Sequence, residues 1–358
     1  MLIFLDSNIL CSNYFLNGPS FEVMRKVGTI VICEIVYDEV CNKYHEMLIE
    51  NNKKMQRAIE DLNRLLPSPL TLSSESIIND AVEKYEGFLY AQLLSDGFIE
   101  AYPDISHKIV VNRALSRKKP FKEDGSTGYR DYLIWRSLIN VAKSYSKEEV
   151  HFISTNTRDF ADITNKESLH PDLLKELQDD DIAETRIHYW NSLKAFIDKY
   201  ALSIAKQIDD RDTLIKDIES NRSGFVEPLE EFIRTRVIGT NVYNQELLVP
   251  GNSPELIATD ETYDISIEDI VDIDDAFLID VVVSCDGIIE SQSKSDKITE
   301  YKELGYDFEI TKQENGLCTL QTIQYMHLHV KVFYDKASKE IASIELQYID
   351  DDNCDYCP

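Results

Sequence analysis

Four acidic residues lie in comparable places along the first half of the chain. Asp6 directly follows the apolar run 2–5, and Asp159 comes shortly after the apolar segment 150–154. Glu39 and Asp131 each lie in the first turns of a segment with helical periodicity. In an α/β fold, the carboxyl ends of the strands and the starts of the following helices meet at one sheet edge. We therefore expect the four carboxylates to converge there.

Such a group of carboxylates has a specific chemistry. Several carboxylates in one site cannot all remain ionised unless a cation compensates them. Oxygen ligands without histidine or cysteine select hard ions, here Mg²⁺ or Mn²⁺. A site of this kind suits hydrolysis of phosphodiester bonds, because the ion activates water and offsets charge on phosphate oxygens. The pattern thus predicts catalytic and metal-binding roles for Asp6, Glu39, Asp131 and Asp159.

Each acid also has a simpler interpretation, which the sequence leaves open. Asp6 is a good residue to cap the next helix, and Asp131 suits the positive end of a helix dipole. Glu34, Asp38 and Glu46 are alternatives to Glu39, since acids on such a helix commonly face water.

The surrounding elements indicate an α/β domain with a mostly parallel sheet. Apolar runs at 2–5, 29–32 and 150–154 are typical of strands buried on both faces, and 184–188 is a candidate last strand. Helical periodicity covers 35–66, 73–94, the segment after Asp131 and 191–208, whereas 97–106 is expected to be a loop. We expect a three-layer αβα sandwich over residues 1–200.

The second half of the chain follows a different pattern. Residues 201–252 are expected to form a helical extension and linker, and from about 253 the apolar period changes to two. Asn315–Gly316 lies between two such runs and is a strong hairpin signal. We therefore predict an antiparallel β domain over 253–350, followed by a tail at 351–358.

Charge is distributed unevenly between the two halves. The chain carries a net charge of −28, and residues 253–358 hold 7 lysines, no arginine and 25 acids, a net charge of −18. The segment 105–122 instead has six cations and no acid, which suits contact with phosphates or, more simply, a solvated helix face and loop. Its cations are Lys108, Arg113, Arg117, Lys118, Lys119 and Lys122.

Composition limits the remaining possibilities. No stretch reaches the apolar length needed to span a bilayer, and the start of the chain lacks the basic region of a signal peptide. We read the seven cysteines as reduced thiols of a cytoplasmic protein. Cys354 and Cys357 form half a zinc motif at best, and His327 and His329 more often belong to an ordinary strand surface.

At the four acids the sequence resembles the PIN-domain nucleases, in the PIN-like branch with a long insert and a C-terminal β domain. The resemblance covers about residues 1–200, and one departure is Cys33, where this branch often has proline. It rests on F-L-D-S-N-I-L around Asp6, V-Y-D-E-V around Glu39, P-F-K…G-Y-R-D-Y-L-I-W around Asp131 and S-T-N-T-R-D-F around Asp159.

The resemblance implies a Mg²⁺- or Mn²⁺-dependent nuclease, mostly a ribonuclease, that leaves a 5′-phosphate and a 3′-hydroxyl. Beside the four metal-binding acids, Ser7, Thr155 and Asn156 are expected to hold water or phosphate oxygens, and the basic segment with Arg130 is expected to follow the nucleic-acid backbone. The main hypothesis is an endoribonuclease acting on single-stranded or structured RNA, as a toxin or defence effector.

Two alternatives remain open at this point. One is a structure-specific DNA nuclease that uses the same acids. The other is a non-catalytic nucleic-acid or protein binding module, in which the acidic C-terminal half recruits a protein partner. The sequence does not determine the oligomeric state.

Overall fold

The computed structural model describes residues 1–68, 70, 75–122, 125–242, 247, 249–260 and 263–351. The chain divides into two compact units, Met1–Tyr200 and Ala201–Pro358.

The first unit is built on a five-stranded sheet in which every neighbouring pair is parallel. In spatial order the strands run β3-β2-β1-β4-β5. Their bounds are β1 (Leu2–Leu5), β2 (Thr29–Cys33), β3 (Gly97–Glu100), β4 (Val150–Ile153) and β5 (Ile187–Trp190). Because β1 is central and directly precedes Asp6, the sheet places this acid at the middle of its carboxyl edge.

Nine α-helices begin in the described part of the first unit. Their bounds are α1 (Ser7–Ser12), α2 (Pro19–Val27), α3 (Glu34–Asn63), α4 (Glu75–Asp96), α5 (His107–Leu115), α6 (Tyr129–Ser144), α7 (Thr157–Phe160), α8 (Pro171–Asp179) and α9 (Leu193–Ile204).

The apolar runs of the sequence become the core of this unit. All four residues of β1 and all four of β4 are buried, as are Tyr132, Trp135 and Leu138 of α6. Burying a large apolar side chain contributes about 1.5–3 kcal/mol, so these elements hold the sheet and its helices together. The predicted fold class, an α/β sandwich with an added antiparallel β domain, is confirmed.

Two local expectations were wrong. The segment 97–106, expected to be a loop, begins with strand β3, because Gly97–Glu100 pairs with β2 through a contact remote in sequence. The segment 184–188 starts with a 3₁₀ turn, Glu184–Arg186, and the strand begins only at Ile187. Four-residue strands carry too little periodicity to be located from sequence alone.

The second unit is an antiparallel sheet packed against helices. Its elements are β6 (Asn252–Thr259), β7 (Asp264–Asp272), β8 (Ala276–Lys294), β9 (Glu309–Glu314), β10 (Leu317–Asp335) and β11 (Glu340–Asp350), with α10 (Arg211–Glu219), α11 (Glu227–Phe232), α12 (Ile298–Glu303) and π-helical turns at Arg222–Val226 and Ile233–Val237.

Two long strands, β8 and β10, form the centre of this second sheet and pair along their whole length. Helical residues such as Phe225 and Leu229 share one core with Val281 and Leu328 of the sheet. The helical segment that we expected to be an extension and linker therefore packs on the sheet.

The hairpin predicted at Asn315–Gly316 joins β9 to β10. Asn315 has φ 51° and Gly316 has φ 79°, the left-handed conformation that a two-residue hairpin turn requires. Cys354 and Cys357 lie outside the described residues.

Gly97 provides a test of the β2–β3 pairing. A Cβ atom at Gly97 would lie 1.7 Å from the carbonyl oxygen of Ile30, so the strands must separate to admit any side chain. We expect Gly97→Ala to lower the free energy of unfolding by about 2–3 kcal/mol, as overpacking does. Urea denaturation followed by circular dichroism measures this.

Gly87 is the matched control, because it lies within α4 and a Cβ there meets nothing within 4 Å. Gly87→Ala should raise the free energy of unfolding by about 0.5–1 kcal/mol through helix propensity. Equal effects of the two substitutions would contradict the described strand pairing.

Candidate active site

Asp6 is held in place by a network of hydrogen bonds at the carboxyl end of β1. Its side chain is almost fully buried, and its Oδ1 accepts from the backbone N of Ser7 at 2.7 Å as the cap of α1. Oδ2 accepts from Asn8 Nδ2 at 2.8 Å and from Ser154 Oγ at 2.5 Å. Asp6 therefore caps α1 and also lies at the carboxyl end of β1.

A single amide group bridges two of the other acids. Asn156 Nδ2 lies 3.3 Å from Asp131 Oδ1 and 3.0 Å from Asp159 Oδ2. Asp131 lies in the first turn of α6, and Asp159 lies on the short helix α7. The fold thus brings together two carboxylates that are 28 residues apart in the chain.

Burial and the charges of the other three acids both disfavour the ionised form of Asp131. The pKa of Asp131 is raised to about 6, first by burial and then by the charges of Asp159, Asp6 and Glu39 in that order. Burial likewise raises the pKa of Asp6, against the opposing hydrogen bond from Ser154. The charges of the other three acids therefore act on Asp131, and that of Glu39 acts on Asp6.

Glu39 lies at the rim of this group, with 15% of its side chain exposed. Its Oε1 is 3.1 Å from Arg130 Nη1 and 3.5 Å from Lys43 Nζ. Two cations therefore offset its charge, whereas within the described residues no ion pair reaches Asp6 or Asp131.

The donor set fits a hard divalent cation. Asp159 Oδ1 is buried and has no hydrogen-bond partner in the described part of the chain, which is unusual for a charged oxygen in a folded protein. Together with the oxygens of Asp6, Glu39 and Asp131 it offers only carboxylate ligands, the type that Mg²⁺ and Mn²⁺ prefer.

Three further residues at this site were not predicted from the sequence. Ser154 and Asn8 contact Asp6, and Lys43 contacts Glu39. The sequence pattern could have indicated Ser154, because this residue directly follows β4 just as Asp6 directly follows β1. Of the predicted supporting residues, Ser7 is buried beside Asp6, and the backbone N of Thr155 donates to Asn8 Oδ1 at 3.3 Å.

Comparison with protein families gives one finding. A family model described as the PIN domain matches residues 3–160. The N-terminal domain is a PIN domain. No curated protein and no solved structure matches the chain. A general nuclease-type, hydrolytic function follows for this PIN domain, together with binding of nucleic acid and divalent cations.

Helix α8 of the PIN domain fixes the helix that carries Asp131. Glu176 on α8 accepts from Tyr132 Oη at 2.9 Å, Trp135 Nε1 at 3.0 Å and Arg136 Nη1 at 3.0 Å, all on α6. Arg113 Nη1 on α5 lies 2.6 Å from the same carboxylate. Since Tyr132 directly follows Asp131, this buried network sets the position of the acid.

The predicted basic segment is only partly available to phosphates. Arg113 is committed to Glu176 and stacks on Tyr132, with its guanidinium 4.7 Å from the ring centroid. Lys119 is half-buried and its Nζ donates to the carbonyl oxygen of Arg158 at 2.6 Å, next to Asp159. Lys122 is half-buried; the exposed cations are Lys108, Arg117, Lys118 and Arg130.

A second group of possible ligands lies at the opposite, amino end of β4. Glu149 precedes this strand, and the rings of His151 and His188 stack at 4.6 Å on the neighbouring strands. Trp190 Nε1 donates to His151 Nδ1 at 3.1 Å, so the neutral ring carries its proton on Nε2, facing Glu149. This tautomer opposes metal binding through His151.

Asp131 is expected to destabilise the PIN domain when no divalent ion is bound. The folded state keeps the proton up to about pH 6, whereas the unfolded chain loses it near pH 4. Stability contributed by this residue therefore falls as pH rises through that window and stays low above it. In EDTA at pH 8, Asp131→Asn should raise the free energy of unfolding by roughly 1–2 kcal/mol.

The measurement is urea denaturation of wild type and Asp131→Asn at several pH values between about 5 and 8. The difference in free energy of unfolding between the two proteins should become smaller as the pH is lowered. A variant less stable than wild type at pH 8 in EDTA would show that Asp131 is not under electrostatic strain.

Proposed function

We propose that this protein is a metal-dependent endoribonuclease. The observation that carries the proposal is the Asn156 amide that contacts both Asp131 and Asp159, supported by the influence of the Asp6 and Glu39 charges on Asp131. Single-stranded or structured RNA is the proposed substrate, and a role as toxin or defence effector is the proposed context.

The four acids would hold Mg²⁺ or Mn²⁺. Such an ion supplies Lewis-acid activation of water and neutralises charge on the scissile phosphate. The orphaned Oδ1 of Asp159 supports this assignment, because a buried charged oxygen without a partner is costly unless a ligand reaches it.

The remaining residues of the site position these acids and the substrate. Asn156 spaces Asp131 from Asp159, and Ser154 orients Asp6 through its hydroxyl. Ser7 and Thr155 stay proposed contacts for water or phosphate oxygens. The exposed cations Lys108, Arg117, Lys118 and Arg130, together with Lys119 and Lys122, are the proposed contacts to the nucleic-acid backbone.

The strongly acidic second unit has a separate proposed role. Residues 253–358 carry 25 acids against 7 lysines, which disfavours contact with another polyanion. We assign to it the recruitment of a protein partner. None of the described helices is long and apolar enough to cross a membrane.

Cleavage of end-labelled RNA tests the proposed activity. With Mg²⁺ or Mn²⁺ present, wild type should cut the RNA, and Asp131→Asn should be slower by about 10²–10³, since loss of a metal ligand removes several kcal/mol of transition-state stabilisation. Asp61→Asn is the matched control, because this carboxylate is 70% exposed on α3 and remote in sequence from the four acids.

Equal cleavage by wild type and Asp131→Asn would remove the catalytic assignment. DNA single strands and flaps under the same conditions decide between RNA and DNA as substrate. Absence of any cleavage, with retained nucleic-acid binding, would favour a non-catalytic binding module.

Thermal unfolding tests the ion site independently of any substrate. An ion that binds only the folded state stabilises it by mass action, by about 2.7 kcal/mol at a concentration of one hundred times Kd. We expect Mn²⁺ to raise the melting temperature of wild type and of Asp61→Asn, but not of Asp131→Asn. An equal shift in all three proteins would place the ion elsewhere.

A further inference from the structure

Two phenylalanine rings on the PIN domain are exposed side by side. Phe15 is 52% exposed and Phe88 is 37% exposed, and their ring centroids lie 5.9 Å apart. Single exposed apolar residues are common on soluble proteins, but adjacent exposed aromatic rings indicate a contact surface.

The rings rest on a rigid aromatic base. Phe15 meets Tyr85 edge-on at 6.3 Å, and Phe88 lies 6.4 Å from the same ring. Tyr85 is 3% exposed and stacks on Tyr44 at 3.8 Å with an interplanar angle of 18°. Because the supporting rings are packed, a ligand that binds Phe15 and Phe88 loses little affinity to their ordering.

Helices α1 and α3, which pack against each other, connect this aromatic cluster to the carboxylates. Phe15 follows α1, the six-residue helix of about 9 Å that Asp6 caps. Tyr44 directly follows Lys43, which pairs with Glu39 one turn earlier on α3. Burial raises the pKa of the Cys11 thiol on α1, which bonds to Tyr14, and the Tyr14 ring meets Tyr44 edge-on at 5.5 Å.

We propose that Phe15 and Phe88 form a stacking platform for an unpaired base of the polynucleotide whose phosphate lies at the four acids. The inference rests on the proposed function. It adds that the substrate must present an unstacked base at Phe15 and Phe88. Every base has a π-face that stacks on aromatic side chains, whereas bases within a duplex are already stacked. Lys43 and Arg130 both contact Glu39 and supply positive charge for the phosphates of the same strand.

Fluorescence anisotropy with labelled oligouridylate in EDTA tests the platform, because without metal the strand is bound but not cut. Substituting both Phe15→Leu and Phe88→Leu keeps apolar side chains and removes the rings. We expect Kd to rise about tenfold, equivalent to about 1.4 kcal/mol, a magnitude typical of one stacked base.

A second probe isolates stacking from general apolar contact. An oligonucleotide of dihydrouridine, whose bases are not aromatic, should bind wild type about tenfold more weakly than oligouridylate and should not distinguish the double variant from wild type. Tyr325→Leu is the control protein, since this ring is 45% exposed but belongs to the second unit. Thermal melting of each variant verifies folding.

The proposal is overturned if the double variant binds oligouridylate within about twofold of wild type. It is also overturned if the double substitution instead changes the oligomeric state in sedimentation, since the rings then serve contact between copies.

The outcomes separate this proposal from the proposed catalysis. If wild type binds through the rings but cuts no RNA with Mg²⁺ or Mn²⁺, the platform stands and the nuclease assignment fails. If wild type cuts RNA and the double variant binds and cuts equally well, the platform fails and the nuclease assignment stands.

Discussion

The constraint on which the PIN domain depends is the burial of carboxylates whose charges repel one another. Asp6 and Asp131 both have raised pKa values, chiefly because burial disfavours their charged forms. The chain offsets this repulsion only in part, through Asn156, Ser154, Lys43 and Arg130. The remaining repulsion, together with burial, opposes ionisation of Asp6 and Asp131.

Apolar contacts elsewhere in the same domain stabilise the fold despite this repulsion. The strands β1 and β4 are buried along their length, so the parallel sheet is secured by apolar contacts that involve none of the acids. Glu176 adds a polar anchor by accepting from Tyr132, Trp135 and Arg136 and pairing with Arg113. Removing one partner from such a buried group costs about 3–5 kcal/mol, which is why it can fix α6.

The contacts of Glu176 also explain why the cations of the basic segment do not all lie on one exposed surface. Arg113 belongs to the basic segment in sequence, yet it is buried against Glu176, while its neighbours Arg117 and Lys118 face solvent. The number of cations in the segment is therefore larger than the number of side chains that are exposed and able to contact a phosphate backbone. In this segment Arg113 stabilises the fold, whereas Arg117 and Lys118 remain exposed.

The sequence by itself determined the fold class, because buried parallel strands must be continuous apolar runs and an antiparallel sheet must alternate. It also determined that Asp6 and Asp131 lie at element ends, since strand and helix boundaries are local properties. It did not locate β3, which exists through its pairing with β2, nor the roles of Ser154 and Lys43. Only the tertiary structure decided which side chains meet, because a hydrogen bond between Ser154 and Asp6 joins residues 148 positions apart and leaves no local pattern.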